Sequence, residues 1–341
     1  MRKVLTVLAF AAVILALVLS FTSFASRIAV FALLFVSCLC FFLAARGNLC
    51  YSKAMKLAST GKKEDFDKAL LLFRKVLSMD ATENYQLMAA SVLLQSGERK
   101  EPFKVLSRLK ESRKQAIAHG AAVTLSMYYR AEGDLAKAIA LCEEAHAQGY
   151  ADKSLYSNLG TYYLQAGRYE DFSRLLKEKK AKDMKTSAMT DFRSAEAAME
   201  GSWKKAGDIL TELFRLYRPG FAAPYVHMAL VHLHYGNSKG ALEMLEKAGK
   251  VRFNSVGLFG KETVLALTDL VRTDPVTAVT AVHECPKELL SGRLPAISKA
   301  SALPPLQPEP VFGAKQKEKE EREEPDVELN DEDEAWLKRH K

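Results

Sequence analysis

Four groups of residues in this 341-residue chain have types and spacings that could carry chemistry. The first is Gly257-Leu-Phe-Gly260-Lys261-Glu262-Thr263, which has the glycines and lysine of a phosphate-binding loop. Its first glycine is misplaced, Glu262 stands where Ser or Thr must meet Mg²⁺, and no strand precedes it. The second is His227, His232 and His234. His227 and His234 are seven apart and share a helix face. A metal site there would need further Cys, Asp or Glu ligands, and no HExxH motif is present. These histidines read as groove or core residues. The third is His283-Glu284-Cys285, a candidate Cys–His nucleophile. Adjacent helical side chains diverge, and no oxyanion donor can be identified. The fourth is Cys38 and Cys40 in an apolar run, which read as small fillers because no other ligand clusters around them. No general acid–base pair stands out among 41 Asp+Glu. The sequence therefore predicts no catalytic residue, no metal site and no cofactor, and the chain is expected not to be an enzyme.

The elements that would position such residues fall into three unlike parts. The chain is 48% hydrophobic and 26% charged, with a mean hydropathy of −0.09, as in an ordinary soluble protein. That average excludes a collagen-like or wholly disordered chain. It also hides an N-terminal stretch over 4–45 almost free of charge, a mixed middle and a C-terminal part rich in Pro and charge. Five cysteines without paired spacing argue against a disulfide scaffold. The net charge of +8 is uneven: residues 306–341 carry 7 Lys+Arg against 12 Asp+Glu, net −5, leaving 42 against 29, net +13, for residues 1–305. A basic body with an acidic tail suits a solvated surface or attraction to anionic lipid. No nucleic-acid-binding module appears, so no nucleic-acid partner is expected.

Residues 1–46 predict two transmembrane helices, at about 4–24 and 28–45, joined by a turn holding Ser20, Thr22, Ser23, Ser26 and Arg27. Each run is about 20 residues, enough to span a hydrocarbon core of roughly 30 Å. Arg2 and Lys3 flank the start, and Arg46, Lys53, Lys56, Lys62 and Lys63 follow the end, so both ends read as cytoplasmic. A signal peptide cleaved near Ser23-Phe24-Ala25 and a re-entrant hairpin are the alternatives.

The middle, residues 47–290, repeats. Gly61, Gly97, Gly133, Gly167, Gly201 and Gly236 recur at intervals of 36, 36, 34, 34 and 35. Apolar residues at helical spacing flank them, as in Ser154 to Lys177 around Gly167. Small residues at Ala138, Ala206 and Ala241 let paired helices approach. Leu159-Gly160 and Tyr163, then Gly167, Tyr169 and Leu176, resemble the tetratricopeptide repeat, as do Gly133 to Ala145 and Gly201 to Ala206. The resemblance covers about residues 48–250 in six units. The closing proline is mostly absent, and units one, two and five are degenerate. It implies an all-α fold, a right-handed α-solenoid of helix–turn–helix pairs. Gly260 to Val271 and Val276 to His283 predict a capping pair, with Asp274 as N-cap and Pro275 at the first helical position. Residues 291–341 are expected to be a Pro-rich, then charged, disordered tail.

The resemblance further implies a concave groove lined by the first helix of each unit, binding a protein or peptide client. The lining positions are Asn84 and Leu87, then Met127 and Arg130, then Ser157, Asn158, Thr161 and Gln165, then Asp191, then His234. Val123 and Met127 stand where some relatives carry the Lys and Asn of a carboxylate clamp, so an extended or helical segment with apolar anchors is the expected ligand. Basic second-helix faces, Arg99 to Lys114 and Arg174 to Lys185, predict contact with anionic lipid. Trp336 and Leu337 in the acidic tail are a candidate docking motif, in cis or in trans. The expected function is a membrane-anchored interaction scaffold, suited to a bacterial inner membrane. The alternatives are an accessory subunit of a membrane enzyme or envelope-assembly complex, and a structural oligomer held by its membrane helices.

Overall fold

A computed structural model describes residues 2–19, 24–60, 62–79, 81–251, 257–295 and 302–313, and all regular structure among them is helical. Helix α1 (Arg2–Leu19) packs along α2 (Phe24–Ala58). Ser37 Oγ donates to the Ala9 carbonyl at 3.1 Å, and Phe10 meets Phe41 edge-on at 5.5 Å. Large apolar side chains such as Val7 and Phe35 remain 66% and 70% exposed, a surface that water does not tolerate in bulk. By length and composition the stretch Ala32–Ala58 can cross a membrane, whereas the apolar stretch of α1, Val4–Ile14, is shorter. Ser20, Thr22 and Ser23 lie outside the described residues, and Ser26 and Arg27 belong to α2.

The expected boundary at residue 46 does not exist as a break. Helix α2 runs straight through Arg46, because one glycine is the only poor helix former there, at a cost of about 1 kcal/mol. That glycine is required by packing: a Cβ on Gly47 would lie 2.7 Å from the Ala81 Cβ. Beside it, Asn48 Oδ1 accepts from the Thr82 amide at 3.2 Å. Farther along, Tyr51 stacks on Tyr85 at 4.4 Å and tilts against Phe73 at 5.9 Å. The apolar helix is thus also the first partner of the helical array, with no linker between them.

The array continues through α3 (Lys63–Ser78), α4 (Glu83–Gln95), α5 (Lys100–Lys110), α6 (Gln115–Ala131), α7 (Leu135–Ala147), α8 (Lys153–Ala166), α9 (Tyr169–Lys177) and the short α10 (Lys179–Asp183). Then come α11 (Ser187–Met199), α12 (Trp203–Leu216), α13 (Ala223–His234), α14 (Ser238–Lys250), α15 (Lys261–Thr273), α16 (Pro275–Glu284) and α17 (Pro286–Leu290). Consecutive helices pack, and so do the alternate ones α4 with α6, α6 with α8, α8 with α11 and α11 with α13. Gly160 permits the α8–α11 approach, since a Cβ there would sit 2.4 Å from the Phe192 ring. Phe73, Leu93 and Leu106 centre the core of the first pairs, and Tyr162, Phe172 and Leu210 that of the later ones.

Gly97, Gly133, Gly167, Gly201 and Gly236 end helices with φ between 72° and 97°, while Gly61 is outside the described residues. At Gly133 (φ 87°) a Cβ would meet nothing within 4 Å, so the cost of Gly133→Ala is conformational alone. It should lower stability by about 1–2 kcal/mol, the left-handed penalty for a side chain, read as a fall in chemical-denaturation midpoint.

The C-terminal part departs from expectation in two ways. Helices α16 and α17 fold back onto α13, and α17 also onto α11. The stretch 302–313, expected within a disordered tail beginning at 291, instead lies over α12 and the α13–α14 turn. Leu306 fills the space that a Cβ on Gly236 would take, and Phe312 does the same at Gly207. Glu309 bonds His232 Nδ1 at 2.5 Å and accepts from Asn237 Nδ2 at 2.6 Å. The Gly313 amide donates to Asp208 Oδ1 at 2.9 Å. Prolines explain why the strap is extended, and its apolar and acidic anchors explain why it is held.

Candidate functional site

Helices α4, α6, α8 and α11 present one side to a continuous trough of three connected hollows, of about 460, 330 and 680 Å³. The first joins the second through Ser91, Val123, Thr124 and Ser154, and the second joins the third through Gln95, Gly257 and Leu258. Asn84 and Leu87 line the first hollow, with Asn84 exposed and Leu87 half-buried. Ser157, Asn158 and Thr161 line the second, together with Met127 and Asp191. Arg130 and Gln165 line the third. Nine of the ten predicted groove residues therefore border one trough, and His234 does not.

Their availability differs. Ser157 and Thr161 are half-buried and one helical turn apart on α8, with the Thr161 hydroxyl returned to the Ser157 carbonyl at 2.9 Å. Asn158 is committed inward: Nδ2 donates to the Val123 carbonyl at 3.2 Å and reaches Ser126 Oγ at 3.5 Å. Ser126 in turn receives the Cys142 thiol at 3.2 Å and meets the Tyr162 hydroxyl at 3.1 Å. Gln165 accepts from Arg130 Nε and donates to the Gly257 and Leu258 carbonyls at 3.3 and 3.5 Å. These two amides fasten α6, α8 and the 257–260 loop to one another.

Three of the ten predicted groove residues are engaged elsewhere. Met127 is only 5% exposed and belongs to the core of the first pairs. Asp191 is fully buried and bonds His227 Nδ1 at 2.8 Å, while His227 Nε2 meets the Leu290 carbonyl at 3.0 Å. Phe259 stands edge-on to His227 at 5.3 Å. The reason is the folded-back C-terminal part, which covers the face of α13 that would otherwise extend the groove. His234 lies on the other side, stacked between Trp203 at 4.5 Å and His283 at 4.6 Å. The histidine cluster is therefore three separate contacts, to Asp191, to Glu309 and to Trp203 with His283.

Burial and its partners set the titration of these groups. Burial lowers His227, but the Asp191 charge and hydrogen bond and the Leu290 carbonyl outweigh it, and the net shift is upward. Burial and the neighbouring His283 push His234 down to about 4, so it is neutral at neutral pH. Burial pulls Arg130 below its ordinary value. The Cys142 thiol is pushed up to about 12 from 9.0, again by burial. Its thiolate fraction near neutral pH is about a thousandfold below that of an ordinary thiol, so folded chain should leave Cys142 unlabelled by maleimide until denaturant is added. Mass spectrometry of the labelled peptide reads this directly. Cys285 is only partly buried, but His283 is turned to the His234 carbonyl at 3.0 Å, so the two do not form a nucleophile pair. Trp336 and Leu337 lie outside the described residues.

Sequence reasoning missed the third hollow. It combines residues 95, 130 and 165 with 257–263 and 291–293, and nothing local in the chain signals that the last two segments return to the repeats.

No family model matches this sequence, and no curated protein does. Among solved structures, MamA of AMB-1 matches with a TM-score of 0.34 and 19% identity, over 49% of this chain and 90% of that one. A likeness at that level carries no conclusion about role.

Proposed function

We propose that this chain is a membrane-anchored interaction scaffold. Its helical pairs form a right-handed solenoid of the tetratricopeptide type, and its trough binds an extended or helical segment of a client protein. The observation that carries this reading is the trough itself: an open, continuous channel over α4, α6, α8 and α11, floored by Leu87, Val123, Thr124 and Phe192 and edged by small polar groups. Channels of that character suit apolar anchors with a few polar contacts to the ligand backbone. Anchoring rests on the length and apolarity of α2, and its continuity with the array would hold the trough at a fixed height above the bilayer. The basic flanks of the apolar runs support a cytoplasmic array. The proposal assigns no catalytic residue.

A thiol at Lys153, an exposed position beside the second hollow, tests the topology. In Lys153→Cys, an impermeant maleimide should label this residue only after the membrane is opened, and alkaline carbonate should leave the chain in the membrane fraction. Labelling of intact cells, or release by carbonate, would overturn the anchored cytoplasmic arrangement.

A further inference from the structure

The three hollows differ in charge. The first two are edged mainly by neutral side chains. The third is bordered by Arg130, Lys261 and Arg293 and, among the described residues, by no carboxylate. Arg130 bonds the neutral Gln165, and Arg293 bonds the Tyr169 hydroxyl. Arg130 also complements the carbonyl end of α6, but Lys261 and Arg293 stand on other elements, which brings three cations from three places to one hollow of about 680 Å³. Cations converging in a concavity without counter-charge focus positive potential, and the matching ligand is a carboxylate-rich polypeptide.

We infer that this hollow is the docking site of the chain's own acidic segment, Asp326–Glu334, with Trp336 and Leu337 entering the apolar length of the trough. The inference rests on the reading of the trough as a polypeptide-binding channel. Asp326–Glu334 holds six Asp+Glu and no Lys or Arg, against a body of net +13. The chain before it has already returned to the body, since Glu309, Phe312 and Gly313 are fixed on α12–α14. From Asp208 on α12, across α13 to Leu258 and Ser291, is about two helix spacings, roughly 20 Å. The twelve residues from 314 to 325 reach up to about 40 Å. Tethering at that range gives an effective concentration near millimolar, so weak attraction suffices, and a client must displace the tail to enter. The trough is then autoinhibited by charge.

A photoreactive benzophenone side chain placed at Asn330 of the full chain, in anionic-lipid-free nanodiscs, tests this. The expected adducts map to residues lining the third hollow. Combining Lys261→Glu with Arg293→Glu should lower their yield about tenfold, the effect of roughly 1.4 kcal/mol, with thermal unfolding unchanged. High salt should lower the yield of the unaltered chain in the same direction, which keeps the test valid if the double variant folds poorly. Adducts confined to the outer faces of α12–α14 or to a second copy, or a yield indifferent to charge and salt, would overturn the inference. A parallel probe at Ser157 separates the two readings. If Ser157 captures other polypeptides while Asn330 misses the hollow, tail docking is lost and the client channel stands. If Asn330 maps to the hollow while Ser157 captures only the tail, the client channel is lost.

Discussion

Replacing Asp191 by alanine should lower stability by about 3 kcal/mol, between the cost of an unsatisfied buried donor and that of an orphaned buried charge. For a body of this size that corresponds to a fall of roughly 10 °C in unfolding temperature. Asp191 is 0% and His227 1% exposed, and the pair ties α11 to α13 and, through the Leu290 carbonyl, to the end of α17. The effect should depend on pH with a definite sign. The folded-state pKa of His227 is raised, so its contribution is fully present below the ordinary histidine value of about 6.5 and is lost as pH rises through the folded value. Asp191→Ala removes that contribution, so its deficit relative to the unaltered chain should be larger at pH near 6 than at pH near 9. His234 works the other way: its depressed value means that the unfolded chain takes up protons first as pH falls from about 6.5 toward about 4, and stability declines there in both proteins. Thermal unfolding in detergent across that range measures both slopes. A deficit independent of pH would show that His227 is neutral throughout.

The second large effect concerns binding. Ser157→Arg combined with Thr161→Arg would place two long cations across the second hollow, which holds about 330 Å³. Both positions are half-buried, one turn apart, and arginine is a good helix former, so the helix itself should persist. A client seated in the trough should lose at least about a hundredfold in affinity, the scale of a blocked hot-spot pocket. The unfolding temperature should stay within a few degrees. Binding unaffected by these changes would place any client elsewhere on the surface.

How much of this was legible in the sequence depends on which forces act locally. Five glycines at near-equal spacing fall at left-handed helix ends, and a left-handed backbone is a local demand that only a few residue types meet. Asp274-Pro275 likewise begins α16 by local chemistry, with Asp274 Oδ1 accepting from the Thr277 amide at 3.0 Å. The trough positions on α8, Ser157 and Thr161, followed from the resemblance to the tetratricopeptide repeat, which places the first helix of each unit on the concave side. What was not legible was set by contacts distant in sequence. Asp191 looked like a polar groove residue until His227 and Leu290, 36 and 99 residues away, closed over it. The Pro-rich stretch read as an unattached linker because its anchors, Gly207, Gly236, His232 and Asn237, carry no mark of a partner. The boundary at Arg46 looked natural because hydropathy changes there, yet helix continuity depends on backbone bonding, which a change of solvent does not interrupt.

The most direct test of the central claim is photocrosslinking from Ser157, with the full chain in its native membrane. The account predicts a discrete adduct with a client polypeptide, alone or beside one with the chain's own tail, that disappears when Thr161→Arg is added and is absent from a control probe at Lys204 on α12, which borders none of the three hollows. Adducts only to lipid, or adducts equally strong from Lys204, would contradict the claim that the trough is where this protein binds.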